Sequence, residues 1–160
     1  GLARATRHNA DDVDLNRDFK SPRTEEIRAH VAWLARQPAP DLAICLHEDW
    51  EATGFYLYEL NALGLPSPAR AMLEAVSSVC PIEPAIIIDG RPTDEPGIIR
   101  PVADPLLRDT WPESIFLRHN HARLGYTIES PSARPLPQRI AALQAAVSTA
   151  IAAVVRRGPA

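Results

Sequence analysis

The order of apolar and polar positions divides the first half of the chain into helix, strand and helix. Residues 22–36 and 68–79 carry apolar side chains at helical spacing, and each segment follows a Ser-Pro pair that is typical of a helix start. Between them, residues 41–47 form a short and almost continuously apolar run. Such a run predicts a strand that is buried on both faces. Residues 55–57 predict a further short strand.

The second half of the chain continues the alternation after a long irregular segment. Residues 86–88 predict a strand, and residues 89–112 are rich in proline, glycine and charge, which is typical of a functional lid or rim. A third helix is predicted from Glu113 to Leu124, with Gly125 as its terminator, followed by a strand over residues 126–129. Pro137 opens a long final helix with five apolar residues on one face: Ile140, Leu143, Val147, Ile151 and Val154.

This alternation predicts an α/β domain with a mainly parallel sheet. The 160 residues contain no internal repeat and fit one domain, residues 1–160.

Charge and hydropathy narrow the range of partners. The formal net charge is −3, and Arg156-Arg157 is the only basic cluster, which argues against binding of nucleic acid. The most apolar stretch, residues 140–155, is interrupted by polar side chains, so no membrane span is predicted. Cys45 and Cys80 both have apolar neighbours and are expected to be buried free thiols. We therefore expect a peptide or small-molecule partner.

The segment from Arg7 to Phe19 is a polar loop with a high density of Arg, Asn and Asp. Such loops often form only turns, because Asn and Asp side chains bond their own backbone. The adjacent Asn16 and Arg17 allow a second interpretation. A planar guanidinium beside an amide is well suited to binding a carboxylate.

Two predicted strands end in groups that can take part in catalysis. His47 ends one strand and Glu129 ends another. In open α/β sheets, ligands bind beyond the carboxyl ends of the strands. His47 is thus a candidate metal ligand and Glu129 a candidate general base, although each could also be an ordinary structural or solvated residue.

Three ordered motifs resemble the zinc carboxypeptidase family. Residues 7–9 followed by Val13-Asp14-Leu15-Asn16-Arg17-Asp18-Phe19 resemble its Arg-x-Asn element and its Gly-Val-Asp-Leu-Asn-Arg-Asn-Phe motif. Residues 44–47, Ile-Cys-Leu-His, resemble the strand that carries its third zinc ligand. Residues 127–132, Thr-Ile-Glu-Ser-Pro-Ser, resemble the strand with its catalytic glutamate. The resemblance implies a three-layer α/β/α fold with a mixed, mainly parallel central sheet.

The resemblance also implies a role for each matched residue. His47 would bind zinc, and Glu129 would take a proton from the zinc-bound water and deliver it to the leaving amine. Arg7 would stabilise the developing oxyanion, with Arg4 as the alternative. Asn16 and Arg17 would hold the terminal carboxylate of the substrate.

This sequence departs from the family pattern at the metal. The His-x-x-Glu motif that carries the other two zinc ligands does not occur, and catalytic zinc normally has three protein ligands. We expect that the amino-terminal part of the catalytic domain is missing from these 160 residues; the alternative is a loss of catalysis. Four other histidines could in principle substitute: His8, His30, His119 and His121.

Three further departures concern substrate choice. Asp12 replaces a glycine, Asp18 replaces an asparagine, and Glu48 replaces a serine. An added carboxylate at Glu48 or Asp49 would favour a basic substrate.

The sequence therefore favours a zinc-dependent metallocarboxypeptidase that cleaves an amide bond beside a terminal carboxylate. Two alternatives stay open. The chain could be an N-acyl amino acid deacylase that resembles aspartoacylases and succinylglutamate desuccinylases, or a non-catalytic relative that only binds carboxylates.

Overall fold

The computed structural model of the protein describes residues 5–101, 104–120 and 122–157. The helices are α1 (Glu25–Leu34), α2 (Ala69–Ser77), α3 (Glu113–Asn120) and α4 (Leu136–Val155). The strands are β1 (Leu42–Asp49), β2 (Tyr56–Leu60), β3 (Ile87–Ile88), β4 (Arg91–Pro92), β5 (Ile98–Ile99) and β6 (Leu124–Pro131).

Four of the strands form one mixed sheet in the order β1-β6-β2-β5. The pairs β1 with β6 and β2 with β5 are parallel, and β2 runs antiparallel to β6. This confirms a mixed α/β fold with a mostly parallel sheet. The three-layer arrangement stays a prediction.

The main hydrophobic core lies on one face of this sheet. Leu124, Tyr126 and Ile128 of β6 pack there with the apolar side chains of α2 and α4. Successive side chains of a strand point to opposite faces, so Thr127 and Glu129 face the other side. The chemistry predicted for Glu129 therefore belongs to the face opposite α2 and α4.

The fully buried residues of helix α4 are small, and they lie beside the apolar face that the sequence predicts. Ala142, Ala146 and Ala150 are fully buried, whereas Ile140 and Ile151 are 45% and 49% exposed. Alanines at a spacing of four let α4 approach α2 closely, and bulkier side chains would keep the two helices apart. Of the five apolar residues predicted on one face, Leu143 and Val147 pack against the core, whereas Ile140 and Ile151 are largely exposed, so the prediction holds only in part.

The same helix is long and apolar enough to cross a membrane, judged by length and composition alone. The prediction that no such segment exists was therefore wrong. Since its alanine face packs on α2 and the sheet, α4 is an element of this domain's core.

Helix α1 begins later than the Ser21-Pro22 pair predicts. Its N-cap is Thr24, whose hydroxyl accepts a hydrogen bond from the Ile27 amide at 3.4 Å. The Asp18 carboxylate accepts bonds from the amides of Arg23 and Thr24 and holds the preceding residues outside the helix. The helix start is therefore set by two side chains that bond backbone N–H groups.

Gly125 is a strand residue and not the terminator of α3. The helix ends at Asn120, and Gly125 pairs with Ala43 of β1 and Leu60 of β2 inside β6. Its environment in the centre of the sheet outweighs the local signal for a helix end.

Strand β1 is less buried than its apolar sequence predicts. Only Cys45 is buried, and Leu46 is 56% exposed. The cause is position, because β1 is an outer strand of the sheet formed by the described residues. Cys45 and Cys80 are both buried free thiols, as predicted.

Candidate functional site

A cavity of about 430 Å³ opens beyond the carboxyl ends of β1 and β6. Its lining includes all five of the predicted site residues, which are Arg7, Asn16, Arg17, His47 and Glu129. Residues more than 120 positions apart in the sequence thus meet in one place. The position agrees with the rule that ligands of open α/β sheets bind at this edge.

His47 and Glu129 are direct neighbours because β1 and β6 are parallel and in register. The two residues are paired positions of the strands, and the His47 Nδ1 atom lies 3.8 Å from the Glu129 Oε1 atom. The Glu129 side chain is only 12% exposed. The register of one strand pair therefore sets the distance between the imidazole and the carboxyl group.

The surroundings favour the uncharged form of both groups. Burial, together with the charges of Asp49 and Asp89, raises the pKa of Glu129 to about 8, against the opposing effect of Arg7. Burial and the nearby Arg7 lower the pKa of His47. At neutral pH, Glu129 is thus mainly a carboxylic acid and His47 a neutral imidazole, which is the form of histidine that binds metals.

Asp14 orders the loop that carries the predicted carboxylate clamp. Its carboxylate caps the short 3₁₀ turn Leu15–Arg17 by accepting a bond from the Asn16 amide at 3.0 Å. Its other oxygen accepts a bond from the Arg7 Nε atom at 2.6 Å. One aspartate therefore fixes the turn and ties Arg7 to it.

Asn16 connects the loop to α3. Its Oδ1 atom accepts a bond from the Glu113 amide at 2.9 Å, so the side-chain carbonyl satisfies a free N–H at the start of the helix. The NH₂ group of Asn16 makes no bond within the described part of the chain and can donate to a ligand in the cavity.

Arg17 lies in a positively charged part of the cavity. Burial lowers the pKa of its guanidinium, and the charges of Arg7 and Arg108 act in the same direction against Asp14. The Nη1 atom donates to the Asn16 carbonyl oxygen at 2.8 Å. This bond uses one of the five N–H groups of the guanidinium.

Asp18 does not line this cavity, although we expected it to affect substrate choice. It is almost fully buried beside Thr24 and Arg23. Burial alone would raise the pKa of Asp18, but hydrogen bonds from Thr24 and Arg23 outweigh it and lower the pKa. Asp18 is an anchor for the start of α1.

The acidic residues after His47 already have partners. Glu48 forms an ion pair with Arg139 of α4, and the Ser132 hydroxyl donates to it at 3.4 Å. Asp49 accepts a bond from the Tyr56 hydroxyl at 2.9 Å. These partners weaken the expectation that the two carboxylates attract a basic substrate.

The long irregular segment lines much of the cavity, with residues that the sequence did not single out. Asp89, Arg91 and Arg108 come from it, and Tyr58 of β2 donates to Asp89 at 2.8 Å. Asp89 and Gly90 both have positive φ values, 51° and 68°, where β3 turns into β4. An Asp-Gly pair is a known signal for such a hairpin turn, so the sequence did contain a cue.

The other candidate histidines that the structure describes have partners of their own, and His30 also lines a second pocket together with His47. His8 lies 2.8 Å from Asp12, His30 lies 2.9 Å from Glu113, and the ring of His119 packs against Trp111. Arg4 and His121 lie outside the described residues.

The described residues do not complete a metal centre. Within residues 5–101, 104–120 and 122–157, no three His, Cys, Asp or Glu side chains are placed to hold one ion. A catalytic metal normally has three protein ligands. His47 is the one predicted metal ligand that lines the cavity, and the described residues do not complete a ligand set around it.

Comparison with known proteins gives structural neighbours only. No protein-family model matches the chain, and no curated protein matches it. Solved structures of candidate metallopeptidases do match. One from Shewanella amazonensis SB2B is 26% identical to this chain, with a TM-score of 0.75. The match covers 94% of this chain and 59% of the Shewanella chain.

Two further neighbours give the same result at lower identity. The candidate metallopeptidase of Shewanella baltica OS155 is 22% identical with a TM-score of 0.75, over 96% of this chain and 59% of its own. That of Shewanella denitrificans OS217 is 22% identical with a TM-score of 0.72, and the match covers 91% of this chain and 54% of the Shewanella chain. This chain thus has a metallopeptidase-like fold and spans somewhat more than half the length of these neighbours.

Proposed function

We propose that this chain is the substrate-holding part of a metal-dependent hydrolase that cleaves an amide bond beside a terminal carboxylate. One observation carries the proposal. His47 and Glu129 lie 3.8 Å apart at the edge of the sheet and share a cavity with Arg7, Asn16 and Arg17. The cavity thus combines a neutral imidazole, a buried carboxyl group and a cluster of carboxylate-binding donors. The neighbours named above support a peptidase in general, and the carboxypeptidase type is our proposal.

In this proposal, Asn16 and Arg17 bind the terminal carboxylate of a peptide or small amide. Both belong to a turn that Asp14 caps, so their donors are ordered before the substrate arrives. A guanidinium and an amide together offer several N–H groups to two carboxylate oxygens. Arg7, held by Asp14, has N–H groups left to stabilise negative charge on the carbonyl oxygen of the bond that breaks.

Glu129 is the proposed proton-transfer group. Its raised pKa of about 8 lies close to neutral pH, where a carboxyl group can both accept and release a proton. In its ionised form, which is the minor fraction at neutral pH, it would accept the proton of the attacking water and then deliver it to the leaving amine.

Zinc is the proposed metal, with His47 as one ligand; such an ion would supply Lewis-acid activation of water. The described residues provide only part of its ligands. In this proposal, the remaining ligands come from outside them.

The experiment is a hydrolysis assay of the natural protein with added zinc ions. N-benzoylglycyl amino acids, their carboxyl-terminal amides and N-acetyl amino acids serve as substrates, and release of the terminal amino acid is measured. We expect cleavage of the free acids and not of the amides. Glu129→Gln should lower kcat by roughly 10²-fold or more, the usual range for general acid–base catalysis.

Glu74→Gln is the matched control. Glu74 is an exposed residue of α2, on the face of the sheet away from the cavity, and this variant should retain full activity. Unchanged turnover in Glu129→Gln would refute the proposed role of Glu129. Cleavage of N-acetyl amino acids in preference to the peptides would identify a deacylase.

A further inference from the structure

The cavity contains more uncommitted positive charge than one carboxylate requires. Arg7, Arg17, Arg91 and Arg108 all line it. The Arg7 guanidinium is held by Asp14, and Arg91 lies over the ring of Tyr58 with its Cζ atom 6.0 Å from the centroid. Within the described part of the chain, the Arg108 guanidinium makes no hydrogen bond and no ion pair. Arg108 is therefore available to a ligand.

Of the five described acidic residues that line the cavity, Glu48, Asp49, Asp89 and Asp104 already have partners, and the fifth is Glu129. Glu48 pairs with Arg139, Asp49 accepts a bond from Tyr56, and Asp89 accepts one from Tyr58. A basic substrate would have to compete with these donors. An acidic substrate meets free donors at Arg17 and Arg108.

We propose that Arg108 binds a second carboxylate of the substrate, next to the terminal carboxylate at Arg17, so that the preferred terminal residue has an acidic side chain. This inference rests on the proposed function, because it assigns the terminal carboxylate to Asn16 and Arg17. It adds Arg108 as a residue that determines specificity.

The charges around Arg17 in the free protein favour the binding of a substrate with two anionic groups. Burial lowers the pKa of Arg17, and the charges of Arg7 and Arg108 lower it further, against Asp14 and Asp89, which raise it. Arg7 and Arg108 thus each repel the Arg17 guanidinium, and added carboxylates would relieve that repulsion.

The position of Arg108 suits a role in specificity. It belongs to the irregular segment that follows the short turn Pro105–Leu107, and its carbonyl oxygen accepts a bond from the Lys20 ammonium at 2.6 Å. Lys20 follows directly on the loop that carries Asn16 and Arg17. The backbone of Arg108 is thus tied to that loop, while its side chain remains free.

The test compares two ligands that differ in one charge, N-acetyl-glycyl-glutamate and N-acetyl-glycyl-glutamine. Both have the same terminal carboxylate and nearly the same shape. Binding is measured by calorimetry on the wild type, Arg108→Gln, Arg17→Gln and Arg36→Gln. Arg36 is an exposed arginine beyond the end of α1 and outside the cavity, so its variant is the matched control.

We expect the wild type and Arg36→Gln to bind the glutamate ligand roughly tenfold or more tightly than the glutamine ligand, as for a hydrogen bond between charged groups. Arg108→Gln should bind both ligands equally, at the affinity of the wild type for the glutamine ligand. Arg17→Gln should weaken the binding of both.

Two results would overturn the inference and leave the proposed function intact. The wild type could bind both ligands equally, or Arg108→Gln could weaken both by the same factor, which would place Arg108 at the terminal carboxylate. A different result would contradict the proposed function: Arg17→Gln would leave the binding of both ligands unchanged. Absence of binding to the wild type would refute both.

Discussion

The pKa of Glu129 is raised because of where the strand register places this residue. The side chain is mostly buried, and Asp49 and Asp89 add negative charge around it. An exposed glutamate would be ionised at neutral pH, whereas this one stays mainly protonated. The sequence identified Glu129 as a candidate but could not predict this pKa, since Asp89 is 40 positions away in the chain.

The raised pKa predicts how the stability of the metal-free protein depends on pH. Below the unfolded-state pKa, both states hold the proton. As the pH rises from there to about 8, the unfolded state loses the proton first, so the wild type loses stability. Glu129→Gln has no titrating proton at this position, so it does not lose stability in this way. The free energy of unfolding of the variant, relative to the wild type, should therefore increase by up to a few kcal/mol between about pH 5 and about pH 9.

Denaturant unfolding of both proteins in the presence of a chelator measures this difference. The subtraction cancels the titration of all groups that the two proteins share. A difference that does not change with pH would show that Glu129 has an ordinary pKa in the folded protein.

Asp12 and Asp18 show why motif departures were hard to interpret from sequence. Asp12 has a φ of 60°, a conformation that glycine adopts most easily and that aspartate tolerates. Asp18 points away from the cavity and binds the start of α1. We expected both to bear on substrate choice, but their environments indicate backbone and anchoring roles. Sequence alone does not reveal the direction of a side chain in an irregular loop.

At the scale of elements, local patterns predicted most helices and strands but not their packing. The apolar run before His47 is a strand, yet its outer position leaves Leu46 exposed. Gly125 looked like a helix terminator, yet it lies inside β6. Both differences arise from the arrangement of neighbouring strands, which a window of ten residues does not contain.

Helix α4 gives a direct test of the packing account. Ala146 is fully buried between α4 and the core, so Ala146→Leu should force the elements apart and destabilise the protein by about 1–3 kcal/mol or more. Gln144→Leu places the same side chain on an exposed position of the same helix and should change stability by less than about 0.5 kcal/mol. The free energy of unfolding from urea denaturation measures both.

If Gln144→Leu lowered the free energy of unfolding more than Ala146→Leu, the result would contradict packing of α4 through its buried alanines. It would instead support the face of Ile140 and Ile151 that the sequence predicts. The ranking is informative because both variants introduce the same leucine side chain into one helix.

At the scale of the whole molecule, three short motifs predicted which residues meet in the cavity. His47 and Glu129 lie near the carboxyl ends of β1 and β6, and the carboxyl ends of parallel strands share an edge, so general rules were enough to bring them together. Arg108 and Asp89 were missed because they come from an irregular segment whose path no periodicity encodes. Within the described residues, no three His, Cys, Asp or Glu side chains are placed to hold one ion.

Asn16 and Arg17 are proposed to form the binding site for the terminal carboxylate of the substrate. Calorimetric binding of N-acetyl-glycyl-alanine and its carboxyl-terminal amide, to the wild type and to Arg17→Gln, tests this proposal most directly. We expect the wild type to bind the acid roughly tenfold or more tightly than the amide, and Arg17→Gln to lose that preference. Equal binding of acid and amide by the wild type, or an unchanged preference in Arg17→Gln, would contradict the account.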